Sequence, residues 1–175
     1  MSLFSDVPSL TDELASSYLF FDNNALIAML EVKELLQQFI AMKESGATLL
    51  TITPVAIEFL KTDNLQNYNK RRNFLKTTIS GIYSIEKHID INDPLFFVLN
   101  KISACEYVDH LLYHTAYKFK NAYLVTENHK DFLTTILDRK HIITIDQGNK
   151  QIRNLAFYQM NTKKIDIAIH SILKS

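Results

Sequence analysis

The sequence predicts an α/β domain built on a parallel sheet with helices on its faces, and three observations carry that expectation. Short apolar runs at Tyr18–Phe21, Ala47–Ile52 and Ala122–Thr126 alternate with stretches whose apolar residues recur at helical spacing. The runs are apolar at consecutive rather than alternate positions, as strands buried on both faces require. Each ends in a polar corner: Asp22 directly follows the first, Glu58 follows the second by a few residues, and Glu127–Asp131 follow the third. Ligands in open parallel sheets bind just beyond the carboxyl ends of the strands, so these corners are where chemistry is expected.

With 175 residues, 47% of them hydrophobic, the chain suits one domain with a substantial core, and two domains would strain it. The expected division of 1–175 is a core over about 18–146, a polar extension over 1–17 and a strand and helix tail over 147–175. Nineteen basic and nineteen acidic side chains cancel, so no long-range positive field attracts nucleic acid, and such a contact would need a local patch. The single cysteine, Cys105, excludes an internal disulfide and reads as a small buried hydrophobe. Met1–Ser9 lacks a basic region followed by an apolar one, and no apolar run is long enough to span a bilayer, so the expectation is a cytoplasmic protein with no membrane partner.

In chain order, Ser9 and Asp12 are placed to cap a turn or two of helix around Leu10–Leu14. After the strand Tyr18–Phe21, Leu26, Ile27, Leu30, Leu35, Phe39 and Ile40 predict one crossover helix closed by Gly46. Pro54 suits the first turn of the helix after the second strand, which carries Val55, Glu58, Phe59 and Leu60. Tyr68–Lys76 is a basic helix whose Lys70, Arg71, Arg72 and Lys76 read either as a solvated face or as an RNA-contacting patch. Ile82–Ile85 predicts a short strand, and Asp93-Pro94 the capped start of a helix over Leu95–Ile102.

Val108, Leu111, Leu112, Thr115, Ala116 and Phe119 then form the apolar face of a helix that carries Asp109 beside it. Lys120-Asn121 breaks the chain before the strand Ala122–Thr126. A short helix over Phe132–Leu137, a strand over His141–Ile145 ending at Asp146 and an edge strand over Leu155–Tyr158 follow. A terminal helix from about Lys163 lines up Ile165, Ala168, Ile169 and Ile172, a face that either the domain or a second subunit in a homodimer would cover. His110 and His114 are four apart, but Leu111 stands where a metalloprotease helix needs its acid, so they read as surface histidines. Three glycines leave no Gly-rich phosphate loop, and no internal repeat is present.

Right-handed crossovers put the carboxyl ends of parallel strands along one edge. Asp22, Glu58, Asn128 and Asp131 are expected there, with Asp109 joining from the helix that enters the third strand. Taken singly, Asp22 and Asp131 read as helix caps, and Glu58 and Asp109 as first-turn acids that complement the helix dipole. Taken together, they favour a site. Gathered acids repel one another unless a cation sits among them, and an all-oxygen set suits Mg²⁺ or Mn²⁺ better than zinc. Such a site can orient and ionise a water for attack on a phosphodiester.

The order of these residues resembles the PIN-domain ribonucleases, and among them the VapC-type toxins. Phe20-Phe21-Asp22 matches that family's acid at the end of the first strand, and Ile52-Thr-Pro-Val-Ala-Ile-Glu58 its glutamate after the second. Asp109-His-Leu-Leu-Tyr-His-Thr-Ala116 and Val125-Thr-Glu-Asn-His-Lys-Asp-Phe132 match its helix of the form Asp-x-x-Ile-x-x-x-Ala and the strand that helix leads into, which ends Val-Thr-x-Asn-x-x-Asp-Phe, and this last block is the specific one. The resemblance covers about residues 18 to 146. It implies a three-layer PIN-like fold with a four- or five-stranded parallel sheet flanked by helices. It also implies Asp22, Glu58, Asp109 and Asp131 as catalytic acids and metal ligands, Thr126 and Asn128 as supports, and Mg²⁺ or Mn²⁺ as cofactor. His129 and Lys130 join Lys70, Arg71 and Arg72 as candidate RNA contacts. Lys120-Asn121 replaces the glycine of many relatives, Leu112 replaces the usual isoleucine, and the extension and tail make the chain longer than the compact toxins.

The function expected from the resemblance is a metal-dependent endoribonuclease cutting single-stranded RNA, as the toxin of a toxin-antitoxin pair with a protein antitoxin or regulator as partner. The alternative is a non-catalytic PIN-like module that binds RNA or protein through the basic helix and the apolar tail. Phosphoryl transfer starting from Asp22 is disfavoured, because Asn24 stands where such a site wants a second acid.

Overall fold

The computed structural model describes residues 7–85, 92–102, 106–128, 134–146 and 152–174. Its elements are α1 (Val7–Glu13), β1 (Tyr18–Phe21), α2 (Asn23–Glu31), α3 (Lys33–Glu44), β2 (Thr48–Ile52), α4 (Thr53–Leu60) and α5 (Leu65–Thr78). There follow β3 (Gly81–Tyr83), α6 (Pro94–Ile102), α7 (Tyr107–Tyr117), β4 (Ala122–Thr126), β5 (Leu137–Asp146), β6 (Ile152–Met160) and α8 (Thr162–Leu173).

The strands form one sheet in the order β3-β2-β1-β4-β6-β5. The first four are parallel, with Tyr18 opposite Thr48 on one side and Ala122 on the other. Among the described residues the expected four- or five-stranded parallel sheet is therefore corrected to a six-stranded mixed one. β6 runs antiparallel to β4, pairing Thr126 with Ala156, and β5 runs antiparallel to β6. Leu155–Tyr158, expected at the edge, lies inside the sheet, and all four residues are buried. An unbroken apolar run suits an interior strand. The edge falls instead to β5, whose Arg139 and Lys140 are exposed and whose register shifts between Arg139 and His141. Charges and a bulge both discourage unwanted pairing at an open edge.

Both faces of the sheet are covered because neighbouring residues of β1 point to opposite sides. Phe20 packs on Phe119 and Tyr83, and Phe21 packs on Phe39 of α3, which in turn stacks on Phe157 of β6. The expected single crossover helix is two helices. Val32 adopts an extended backbone between α2 and α3, a conformation that a β-branched residue favours. Beyond Glu44 the chain turns through Gly46 at φ 108°, with Ala47 N–H donating to Met42 at 2.9 Å, so the glycine ends the helix as its position suggests. Asn121, at φ 63°, makes the break before β4, and its amide donates to Ser17 Oγ at 2.9 Å.

Other expectations shift by local detail. The helix α1 begins at Val7, which puts Ser9 and Asp12 inside it rather than at its cap, and the third strand spans Gly81–Tyr83. No helix spans the described part of Phe132–Leu137, since Thr134–Ile136 are turns and Leu137 already belongs to β5. The α8 face expected to need a partner packs on the domain itself, with Ile165 fully buried and Ala168 and Ile169 against the core. His110 and His114 are buried, not at the surface, because α7 is covered on every side from His110 to Ala116. His114 Nε2 pairs with Asp93 at 3.0 Å, and Asp93 also caps α6 by accepting from Leu95 N–H at 2.9 Å. Cys105 lies outside the described residues. Among the described residues no helix is long and apolar enough to cross a membrane.

Phe39, edge-on to Phe21 and stacked on Phe157, should contribute strongly to stability. Phe39→Ala should cost about 3–5 kcal/mol of unfolding free energy in urea, while Ile167→Ala, at an exposed position, should stay within about 0.5 kcal/mol. A loss at Phe39 comparable to that at Ile167 would contradict this packing.

Candidate functional site

Asp22 leaves β1 at its carboxyl end and starts α2. Its Oδ1 accepts from Ala25 N–H at 2.7 Å, the bond of a helix cap, so the plain structural role is filled. Its Oδ2 accepts a hydrogen bond from the Thr126 hydroxyl at the end of β4. That hydroxyl also accepts from Asn128 N–H at 2.8 Å. Thr126 is fully buried and Asp22 is only 6% exposed.

Burial pushes the Asp22 carboxyl up to about 7. The two hydrogen bonds from Thr126 and Ala25 oppose the shift, and the charges of Asp109 and Glu127 add to it. Near neutrality the group is poised between its two protonation states.

Glu58 projects from the second turn of α4, not the first, and its Oε1 accepts from Asn23 Nδ2 at 2.9 Å. Asp109 stands in the first turn of α7. Asp22, Glu58, Asp109 and Asn128 line one cleft of about 170 Å³, so three of the expected acids and one expected support come together there. Thr126 reaches the cleft through Asp22. Asp131, His129 and Lys130 lie outside the described residues.

The cleft also holds residues that sequence reasoning missed. Asn23 and Asn24 continue the corner after Asp22, and Glu106 lies one turn before Asp109, a spacing of three that places both near one side of a helix start. That spacing was the available signal. Val55 and Val108 give the cleft apolar walls.

The basic helix contributes nothing to the cleft lining. Arg71 donates to the carbonyls of Phe59 at 2.8 Å and Lys61 at 3.1 Å, with its guanidinium 5.6 Å from the Phe59 ring. It thus caps the end of α4. Lys70 and Arg72 are exposed.

The donor set fits a hard cation in kind. All the candidate atoms are oxygens, and the Oδ1 of Asn23 is buried with no hydrogen-bond partner among the described residues. Among the described residues, however, no three His, Cys, Asp or Glu side chains converge closely enough to enclose an ion. The carboxylates share a cleft without forming a closed ligand shell. None of the family models, curated proteins or solved structures compared with the chain matches it.

The raised Asp22 carboxyl has a consequence for stability. Between about pH 4 and pH 7 the folded protein keeps the Asp22 proton while the unfolded chain has lost it, so this group's contribution to stability falls as pH rises and levels off above 7. In EDTA, the unfolding midpoint of Asp22→Asn relative to the natural protein should therefore climb across that window. A difference that stays flat from pH 4 to 8 would show that Asp22 titrates normally.

Proposed function

We propose that the protein is a divalent-metal-dependent endoribonuclease of the PIN-domain type, acting on single-stranded RNA. The observation that carries this reading is the meeting of Asp22, Glu58 and Asp109 in one cleft beyond the parallel strands, with Asn128 beside them. The sheet order β3-β2-β1-β4 supports the finer assignment to a PIN-like fold, to which the β5–β6 pair is an addition.

Asp22, Glu58 and Asp109 would hold Mg²⁺ or Mn²⁺, with Asp131 as the fourth acid that the resemblance implies. When bound, the ion supplies a polarised phosphoryl oxygen and a water of lowered pKa. The chain's own contribution is orientation. Thr126 donates to Asp22 Oδ2 while its oxygen accepts from Asn128 N–H, and Ala25 N–H bonds the other carboxyl oxygen, so the Asp22 side chain is held from both of its oxygens. Asn23 holds Glu58 from the same corner. A cation nearby would favour ionised Asp22 and reverse the effect of burial.

The same reading extends to the toxin half of a toxin-antitoxin pair, where a partner protein would silence cleavage. The exposed Lys70 and Arg72, away from the cleft, support a second reading: a module that binds RNA or protein without cutting.

With labelled single-stranded RNA, cleavage should require Mn²⁺ or Mg²⁺ and stop in EDTA. Asp22→Asn and Asp109→Asn should each lower it by about 100-fold or more, with circular dichroism unchanged. Metal-independent cleavage, or full activity in both variants, would overturn the proposal. RNA binding with no cleavage in either metal would establish the second reading.

A further inference from the structure

The antiparallel half of the sheet overhangs the parallel half beside the cleft. The last pair of β4 with β6 is Thr126 with Ala156, yet β6 continues against β5 to the pair of Ile152 with Asp146. Among the described residues no strand pairs with β6 on its β4 side over that overhang, and the Arg153 side chain reaches from there to the residue after β4. Arg153 donates from Nε to Glu127 Oε1 at 2.7 Å and from Nη2 to Glu127 Oε2 at 2.5 Å. Its third contact runs from Nη1 to Glu31 Oε2 at 2.8 Å.

Each partner belongs to an element that reaches Asp22. Glu127 is the residue between Thr126, which bonds Asp22, and Asn128, which bonds Thr126 and lines the cleft. Glu31 is the last residue of α2, the helix that Asp22 begins. The two-pronged bond to Glu127 fixes direction as well as distance, as a planar guanidinium on a carboxylate does and an ammonium cannot. The Arg153 and Glu127 side chains are mostly shielded from solvent, so the pair is screened less than a surface one.

We propose that Arg153 is a positioning residue: by holding Glu127 and Glu31 together it keeps the exit of β4, with Thr126 and Asn128, in register with Asp22 at the head of α2. Its place in a reaction rests on the hydrolytic reading given above. The geometric part does not.

The variants are Arg153→Met, Arg153→Lys and Glu127→Gln, with two readouts. Without metal, hydrogen exchange of the Asn128 amide should quicken by tenfold or more in Arg153→Met relative to amides in β1, and Arg153→Lys should restore only part of the protection. Unchanged exchange at Asn128 overturns the proposal whatever the protein does. With Mn²⁺ and RNA, well below the unfolding temperature, kcat should fall about 10- to 100-fold with KM within twofold, and Mn²⁺ affinity measured by calorimetry should fall with it. Glu127→Gln should reproduce much of this, and adding it to Arg153→Met should change little more. A lower unfolding midpoint with kcat and Mn²⁺ affinity both unchanged would make Arg153 a structural ion pair and overturn the proposal. A natural protein that cuts no RNA, combined with fast exchange in Arg153→Met, would instead overturn the hydrolytic reading and leave the geometric claim standing.

Discussion

A carboxylate taken out of water loses hydration that its surroundings must replace, and Asp22 is placed where replacement comes from two directions. Ala25 N–H supplies one bond from the start of α2, and the Thr126 hydroxyl supplies another from the end of β4. Backbone joins them as well, since Asp22 N–H donates to Val125 carbonyl at 3.2 Å. The polar corner is thus tied to two parallel strands and a helix at once. Any movement of β4 along β1 would strand the carboxylate, so the register of the sheet and the geometry of the cleft are set together.

The antiparallel half of the sheet answers a need created by that arrangement. All five residues of β4 are buried, and a strand so apolar cannot lie at an edge. With β1 on one side, β4 needs a partner on the other, and the chain supplies it by running out along β5 and returning as β6. The return strand brings Arg153 to the end of β4, where the backbone ladder has stopped and two glutamates would otherwise be near each other unneutralised. One guanidinium joins both halves of the sheet and α2.

The helix α7 shows a different balance. It is buried on nearly all sides, so its histidines must be accommodated inside, and His114 does this by pairing with the capping residue of α6. Its ends are less buried, and the amino-terminal one brings the cap residue Glu106 and the first-turn Asp109 to the cleft. Placing acids at a helix start is favourable electrostatically, so helix stability and the chemistry of the cleft ask for the same residues.

What the sequence by itself determined is local. Consecutive apolar residues mark β1, β2 and β4, Gly46 and Asn121 mark breaks because few residues accept positive φ, and Asp22, Glu58 and Asp109 stand out as acids beside apolar runs. Tertiary structure decided which of these meet. Glu106 joined the cleft, Arg71 was drawn to the end of α4, β6 moved inside the sheet, and Arg153 found Glu127 at 26 residues' distance and Glu31 at 122. The period of apolar residues tells each strand and helix which face to bury. It carries no record of the order or direction in which strands are laid side by side, and long-range partners among polar side chains follow from that order alone.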